Sequence, residues 1–270
     1  MPPVDPRSLR RLLADDPFVR DVVVLETTRS TNDDALRLLD SGAPEGTVVV
    51  ASCQTAGRGR LARRWHSAAD VGLYVSVLLR PVGPIESLTR WTVASALAAC
   101  AACRACCGAA IEIKWPNDLM FEGRKVAGTL AELRSSGGVA TGLVVGTGFN
   151  VNHQPGDFPP DLREHAVSLR TAGGGELVSR ESLAAHYVKR LGAVADLLAR
   201  DGWIEVARAW LALAPAALGR RVLVVPEPGG AQLAGTTAGL DRDGALLVER
   251  FDGSLLRVRT SGSVSDQEGG

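Results

Sequence analysis

The stretch QTAGRGRLARRW, residues 54–65, lies between two apolar segments and decides how the surrounding chain is interpreted. Its two glycines leave the backbone open to close approach by another molecule, and its four arginines place fixed positive charge around that backbone. Three interpretations are open: a solvated basic surface loop, an arm that grips nucleic-acid phosphates, or a flexible loop that closes over a small anionic ligand.

The segments around this Gly/Arg loop predict a mixed α+β domain. GTVVVASCQ enters the loop, GLYVSVLLRP leaves it, and DVVVLE precedes both; their β-branched content predicts strands. In STNDDALRLLDSGA, Ser30, Thr31 or Asn32 can cap a helix whose first turn carries two aspartates. Apolar spacing predicts further helices over residues 8–14, 86–107, 183–200 and 203–213. Residues 109–152 are interpreted as successive strands joined by tight turns at residues 116–118, 122–123 and 137–138.

The pattern changes after Pro215, where short strands are joined by Asp-Gly turns. This pattern is typical of a small all-β module of about 45 residues. We predict a ligand-binding α+β domain over residues 1–215, the β module over 216–262, and a disordered tail over 263–270.

Composition excludes several classes of function. The 270 residues carry 30 basic and 30 acidic side chains, whereas a general polyanion binder would be strongly basic. No run of about 18 apolar residues occurs, and the N-terminus lacks the apolar core of a signal peptide, so we expect a cytoplasmic protein without membrane association. The basic residues are 27 arginines and three lysines, which makes each lysine a hint of a specific role.

Four of the five cysteines fall in CAACRACC, residues 100–107. Their spacing can indicate a metal or iron–sulfur site. The surrounding alanine-rich pattern instead favours a helix in which reduced cysteine packs as a small hydrophobe, and a fourth ligand at the usual spacing is missing. We predict neither a metal cluster nor structural disulfides.

Four elements could carry chemistry, although each has an ordinary structural explanation. Residues 30–32 gather hydroxyl and amide groups that could also be plain helix caps. The Gly/Arg loop follows Gln54 and could simply be solvated. KWPND and RKVAG place Lys114 and Lys125 at apolar strands, where a surface position is the alternative. VGTGFN ends in Asn150 and could be a glycine-rich turn; neither a P-loop nor a complete dinucleotide fingerprint occurs.

The order of these motifs resembles the biotin protein ligase family. Ser-Thr-Asn, Gln-x-x-Gly-Arg-Gly-Arg, Lys-Trp-Pro-Asn-Asp, Arg-Lys-Val-Ala-Gly and Gly-x-Gly-x-Asn follow one another over about residues 22–152. The resemblance implies a class II synthetase-like mixed sheet with helices, plus a C-terminal SH3-like β-barrel. It also implies that biotin and ATP give biotinyl-5'-AMP and pyrophosphate, with Mg²⁺ as cofactor, and that biotin then passes to a lysine of a biotin carboxyl carrier protein domain.

The resemblance also implies roles for individual residues. Catalysis would depend on Lys125, Arg60 and Arg58. Biotin would be bound by Ser30, Thr31, Asn32, Gln54, Arg58, Gly59, Arg60, Lys125 and Gly128. The adenylate would be held by Arg60, Trp65, Lys125 and Asn150. No residue is assigned as a metal ligand. Fixed cations suit this reaction because the biotin carboxylate and the α-phosphate of ATP are both anions, and a loop that orders over the mixed anhydride would limit its hydrolysis.

The chain departs from the family pattern at Leu61 and Ala62, where many relatives carry a glycine, so the loop should be slightly stiffer. Only 29 residues precede Ser30, which predicts a form lacking the N-terminal DNA-binding domain and without specific DNA binding. The alternatives are a lipoate-type ligase, which shares the general fold, and, from a different class, a nucleic-acid-binding protein. Against the latter stand the balanced charge and the missing aromatic platform.

Overall fold

The computed structural model describes residues 1–81, 88–136, 139–226, 230–259 and 262–266. The helices are α1 (Pro6–Leu13), α2 (Thr31–Asp40), α3 (Leu88–Cys107), α4 (Leu169–Ala172), α5 (Arg180–Ala199) and α6 (Trp203–Leu211). The strands of the first 150 residues are β1 (Asp21–Thr28), β2 (Thr47–Gln54), β3 (Gly72–Leu79), β4 (Glu112–Lys114), β5 (Asp118–Phe121), β6 (Arg124–Ser136) and β7 (Val139–Asn150). The later strands are β8 (Leu218–Val225), β9 (Leu233–Leu240), β10 (Leu246–Glu249), β11 (Leu255–Val258) and β12 (Ser263–Asp266).

Two sheets organise the molecule. The first has seven strands in the order β1-β2-β3-β7-β6-β5-β4, and its only parallel pair in the described residues is β1 with β2. The second is antiparallel, in the order β11-β10-β9-β8-β12. This is the predicted fold class, a mixed α+β sheet with a separate C-terminal β module.

Strand alternation explains why the two faces of the first sheet differ. Val48 and Val50 of β2 point into the large core that contains α3 and α5, whereas Val49 points into a smaller cluster with α2. On this second face, Val144 of β7 packs under α2. Gly146 and Gly148 follow at every second position of β7 and therefore lie on the same face. The missing side chains make room for the Asn32 amide and the Trp65 indole on this face.

The helices largely confirm the sequence prediction. The predicted helices over 8–14, 183–200 and 203–213 correspond to α1, α5 and α6, and the long apolar helix predicted over 86–107 corresponds to α3, with residues 86–87 outside the described residues. The turn predicted at 137–138 lies outside the described residues. Sequence analysis missed α4, because four residues are too short to show helical periodicity; Ser168 caps it by accepting from the backbone N of Thr171.

The predicted disordered tail is wrong for residues 263–266. These residues form β12, which pairs with β8 in register from Ser263 opposite Val225 to Asp266 opposite Val222. The alternation that marks a half-buried strand is only four residues long here and is enclosed by polar and glycine residues. The backbone ladder with β8, which sequence periodicity does not reveal, specifies the strand.

Two cysteines of the α3 cluster, Cys100 and Cys103, are fully buried in the large core. Burial raises the pKa of the Cys100 thiol to about 11, so the thiol stays protonated and packs as an apolar group. Helices long and apolar enough to span a bilayer do not occur in the described parts of the chain.

Candidate functional site

A cavity of about 490 Å³ opens on the α2 face of the seven-stranded sheet. Ten of the predicted site residues line it: Ser30, Thr31, Asn32, Gln54, Arg58, Gly59, Arg60, Trp65, Lys125 and Gly128. The motifs that are separated by up to a hundred residues in sequence therefore share one cavity. Its walls come from the start of α2, the Gly/Arg loop, the KWPND segment (residues 114–118), β6, β7 and, from the β module, Gly262 and Val264.

Part of the cavity is a neutral cluster of hydroxyl and amide groups, formed by Thr31, Asn32, Gln54 and Ser76. Gln54 Oε1 accepts hydrogen bonds from the backbone N and Oγ1 of Thr31, at 2.8 and 3.1 Å. Ser76 Oγ donates to Asn32 Oδ1 at 2.6 Å and lies 2.7 Å from Thr31 Oγ1. These bonds orient the donors and acceptors before any ligand arrives, and so preorganise the cluster.

The interpretation of residues 30–32 as side-chain helix caps is not supported. Ser30 occupies the N-cap position of α2 but makes no side-chain capping bond. Ser30, Thr31 and Asn32 are nevertheless buried, at 3–5% exposure. Gly146 makes room for the amide of Asn32, because a Cβ added there would lie 2.0 Å from Asn32 Oδ1.

Arg58 lies beside the neutral cluster and is held by two carboxylates. Its Nη1 is 2.6 Å from Asp33 Oδ1, and its Nη2 is 3.1 Å from both carboxylate oxygens of Glu132. Burial acts to lower the pKa of the Arg58 guanidinium, but the two carboxylates outweigh it and raise the pKa above its usual value. The guanidinium is therefore a permanent cation.

Arg60 connects the Gly/Arg loop to two other parts of the molecule. Its Nη1 donates to Asn117 Oδ1 at 3.0 Å, and its Nη2 donates to the backbone carbonyl of Gly262 in the β module at 3.0 Å. Burial lowers the pKa of its guanidinium, an effect that the charge of Asp118 partly opposes. Asn117 is fixed in turn, because its Nδ2 donates to the carbonyl of Thr129 at 2.7 Å.

Lys125 reaches the cavity from β6. Its Nζ lies 2.6 Å from Asp118 Oδ1 and 5.1 Å from the centre of the Trp65 ring. A Cβ at Gly128 would lie 2.9 Å from Lys125 Cε, and one at Gly148 would lie 2.6 Å from the Trp65 indole. The two glycines thus let the lysine stem and the indole lie against the sheet. The alternative of a surface-exposed strand lysine does not hold for Lys125.

Asn150 is the one predicted site residue that does not line the cavity. It is buried at the end of β7, and its Nδ2 donates to the backbone carbonyl of Lys125 at 3.0 Å. The backbone N of Lys125 pairs outside the sheet, with the carbonyl of His165 at 2.8 Å. Asn150 therefore supports the backbone from which Lys125 projects, and its expected contact with the adenylate stays a prediction.

The acidic partners of the site cations were not predicted from the sequence. Asp33, Asp118 and Glu132 pair with Arg58 and Lys125. Asp118 was present in the quoted KWPND motif without a role, and Asp33 was interpreted as a charge that suits the helix dipole. The one available signal for Glu132 was a lone acidic residue in the otherwise apolar run VAGTLAEL.

The fold and the cavity define a small-molecule-binding domain whose site combines a preorganised neutral cluster with cations that include Arg58, Arg60 and Lys125. Residues 24–150 match the model of the biotin/lipoate A/B protein ligase family. The biotin--[acetyl-CoA-carboxylase] ligase of Mycobacterium tuberculosis is 34% identical over 92% of this chain and 91% of that protein. The ligase of the same name from Paracoccus denitrificans is 35% identical over 83% of this chain and 92% of that protein.

A solved structure agrees with these sequence matches. The biotin protein ligase of Aquifex aeolicus, in complex with biotin and ATP, is 26% identical, covers 92% of this chain and all of that one, and superposes with a TM-score of 0.78. The chain belongs to the biotin/lipoate A/B protein ligase family, as one of its biotin protein ligases.

Proposed function

We propose that this chain activates biotin with ATP to biotinyl-5'-AMP and transfers the biotinyl group to a lysine of a biotin carboxyl carrier protein domain. The biotin carboxylate oxygen attacks the α-phosphorus, and pyrophosphate leaves. The lysine amine of the carrier then attacks the carbonyl carbon of the mixed anhydride, loses a proton and displaces AMP. ATP as a substrate makes the cytoplasm the expected compartment.

The observation that carries this proposal is the juxtaposition of the neutral cluster with the cations. The ureido head of biotin is uncharged and needs fixed donors and acceptors, which Thr31, Asn32 and Gln54 supply. The other end of biotin is a carboxylate, and Arg58 lies directly beside the cluster through Glu132. A site that takes a ligand neutral at one end and anionic at the other has this distribution of groups.

The cations of the site reduce the electrostatic repulsion between the two substrates of the first step. Two anions must approach one another, so catalysis depends on positive charge that strengthens its contacts as negative charge accumulates on the α-phosphate. Lys125 acts as a point charge, while the planar guanidiniums of Arg58 and Arg60 offer paired donors to oxygen atoms. Asp33 and Glu132 hold Arg58, Asp118 pairs with Lys125, and Asn117 accepts from Arg60, so these contacts position the three cations at the cavity wall.

Magnesium fits the oxygen donors at the wall. Mg²⁺ prefers carboxylate and carbonyl oxygens together with substrate phosphates, and Asp118 and Asn117 supply both kinds at the cavity lining. We expect these two residues to hold Mg²⁺ that arrives with ATP. The ion would neutralise phosphate charge when bound.

Release of pyrophosphate tests the proposal. The protein is incubated with ATP, Mg²⁺ and either biotin or lipoate, and pyrophosphate is followed over time. With ATP present, we expect pyrophosphate release with biotin but not with lipoate. An added biotin carrier domain should then become labelled with biotin. Release with lipoate alone would assign the chain to the lipoate-type branch of the family, and release with neither acid would refute the activation step.

A further inference from the structure

Glu132 lies between the neutral cluster and the Gly/Arg loop, and the function proposed above uses it only as a partner of Arg58. Its Oε2 accepts a hydrogen bond from Asn32 Nδ2 at 2.5 Å, and both of its carboxylate oxygens lie 3.1 Å from Arg58 Nη2. One carboxylate therefore contacts a residue of the cluster and a residue of the loop. Its side chain is 28% exposed, so the contact is only partly screened by solvent.

The strand places Glu132 where it can reach both residues. Alternation along β6 puts Gly128, Leu130 and Glu132 on one face. Glu132 is paired across the sheet with Val144, which packs under α2. The carboxylate thus lies beside the first turn of α2. From this position it contacts both Asn32 and Arg58 without any movement of the backbone.

The amide of Asn32 has one short acceptor for its Nδ2 among the described residues, and that acceptor is Glu132. Its other contact, with the carbonyl of Leu130, is 3.5 Å long. On the opposite atom, Asn32 Oδ1 accepts from Ser76 Oγ at 2.6 Å. Glu132 and Ser76 together determine which face of the amide offers the oxygen and which the nitrogen, since a carboxylate can only accept.

We infer that Glu132 is a positioning residue for biotin binding, which fixes the orientation of the Asn32 carboxamide and ties it to Arg58. Binding of the ureido group costs less conformational entropy when the Asn32 amide is already fixed than when it can rotate. This inference rests on the proposed function, because biotin is the ligand whose affinity it concerns.

Equilibrium binding of biotin in the absence of ATP tests the inference, since it separates positioning from chemistry. For Glu132→Ala we expect the biotin Kd to rise about tenfold, the size of effect of a lost charge-assisted hydrogen bond. Glu132→Gln should restore affinity to within about threefold of the parent, because its carboxamide oxygen can accept from Asn32 Nδ2. The KM for ATP should change less than about twofold in both variants.

Asp40→Asn is the matched control, since Asp40 is another carboxylate of α2 that pairs with an arginine of β6, Arg134, and neither residue lines the cavity. Its biotin Kd should stay close to that of the parent. The inference is overturned if Glu132→Ala binds biotin like the parent, if Asp40→Asn weakens biotin as much, or if Glu132→Gln gives no rescue. Thermal melting of each variant checks folding. If the alanine variant does not melt cooperatively, Glu132→Asp, which keeps the charge on a shorter stem, replaces it with the same expected weakening.

The parent protein separates this inference from the proposed function. If the parent shows no biotin-dependent pyrophosphate release and no biotin binding, the proposed function fails. If the parent binds and activates biotin but Glu132→Ala matches its Kd, only the role of Glu132 fails.

Discussion

Lys125 is one of three lysines in a chain that otherwise uses arginine for its cations. We expect Lys125→Ala to lower the rate of biotinyl-AMP synthesis by a factor of about 10² to 10³, because removing a cation at the reacting phosphate costs on the order of 3–4 kcal/mol in the transition state. Biotin-dependent pyrophosphate release, measured at saturating ATP, gives the rate.

Lys189→Ala is the control for this substitution, since Lys189 is an exposed lysine of α5. Equal thermal midpoints of the two variants would show that the loss is not one of folding. Pyrophosphate release by folded Lys125→Ala at the rate of the control would contradict the role of Lys125.

His153 predicts a pH dependence of stability. It is 1% exposed, neither ring nitrogen has a hydrogen-bond partner among the described residues, and its ring stacks on Phe158 at 4.8 Å. Burial, reinforced by the nearby charge of His66, lowers the pKa of His153 from 6.5 to about 4. Between these two values the unfolded chain binds a proton and the folded chain does not. The free energy of unfolding is therefore unaffected above pH 6.5 and falls below it, by at most about 1.4 kcal/mol per pH unit.

Urea unfolding at a series of pH values measures this effect. His153→Leu replaces the titrating group with an apolar side chain of similar size. The stability of this variant should therefore decline less steeply from pH 6.5 to pH 4 than that of the parent. The difference between the two curves isolates His153 from the carboxylates that titrate in the same range. Parallel curves would contradict this prediction, because they would mean that the pKa of His153 is the same in the folded and the unfolded chain.

Most residues predicted for the site line one cavity, but their contacts could not be predicted from sequence. Ser30, Thr31, Asn32 and the loop arginines stood out because hydroxyl, amide and guanidinium groups clustered in short motifs. The pairing of Asn32 with Glu132 joins residues a hundred positions apart, and such a distance is set by strand register, which no local pattern encodes. Acidic partners are hard to distinguish from the other surface carboxylates for the same reason.

At the scale of elements, the Gly/Arg loop contains two residues in a strained conformation. Leu61 and Ala62 have φ values of 55° and 58°, in the left-handed region, which costs an L-residue roughly 1–2 kcal/mol. These are the two positions at which the sequence departs from the family pattern. The loop is expected to be stiffer than in relatives with a glycine here, because Leu61 and Ala62, which are not glycine, form its left-handed turn.

Ala62→Gly should relieve this strain and make the closed turn easier to form, by up to about 1 kcal/mol. The loop arginines make trypsin a direct probe, because cleavage there requires the loop to open locally. We expect slower loop cleavage in Ala62→Gly than in the parent. Ala68→Gly, at a position in the same connection without positive φ, should instead be cleaved faster; faster cleavage in both variants would contradict the left-handed turn.

At the scale of the whole molecule, the sequence predicted the α+β fold and the β module but not how closely the two are joined. Strand patterns located the elements because apolar alternation is local. The contacts between the parts are not local. Trp203 Nε1 donates to the carbonyl of Asp241 at 3.2 Å, and Arg90 Nε donates to that of Arg242 at 2.7 Å. Val222, Leu246 and Val258 of the module belong to the same apolar core as α3.

This shared core determines how the β module can be tested. Removing the whole module would expose core residues, so a loss of activity would say nothing specific about the site. A truncation after Arg259 is narrower, since it removes β12 and the Gly262 carbonyl that accepts from Arg60 but leaves β8 to β11 in the chain. A truncation after Asp266 is its matched control, because it keeps β12 and deletes only the last residues.

We expect the truncation after Arg259 to weaken retention of biotinyl-AMP, because Arg60 loses a contact of the kind worth about 1.5–3 kcal/mol for a charged donor and the cavity loses the wall at Val264. The measurement is the half-life of the enzyme–adenylate complex after rapid removal of free biotin and ATP, with thermal melting to confirm folding. A shortening of about tenfold or more is expected in this variant, and none after Asp266. If both truncated proteins retain biotinyl-AMP as long as the parent, the contact between Arg60 and Gly262 does not hold the Gly/Arg loop, and the module acts on stability alone.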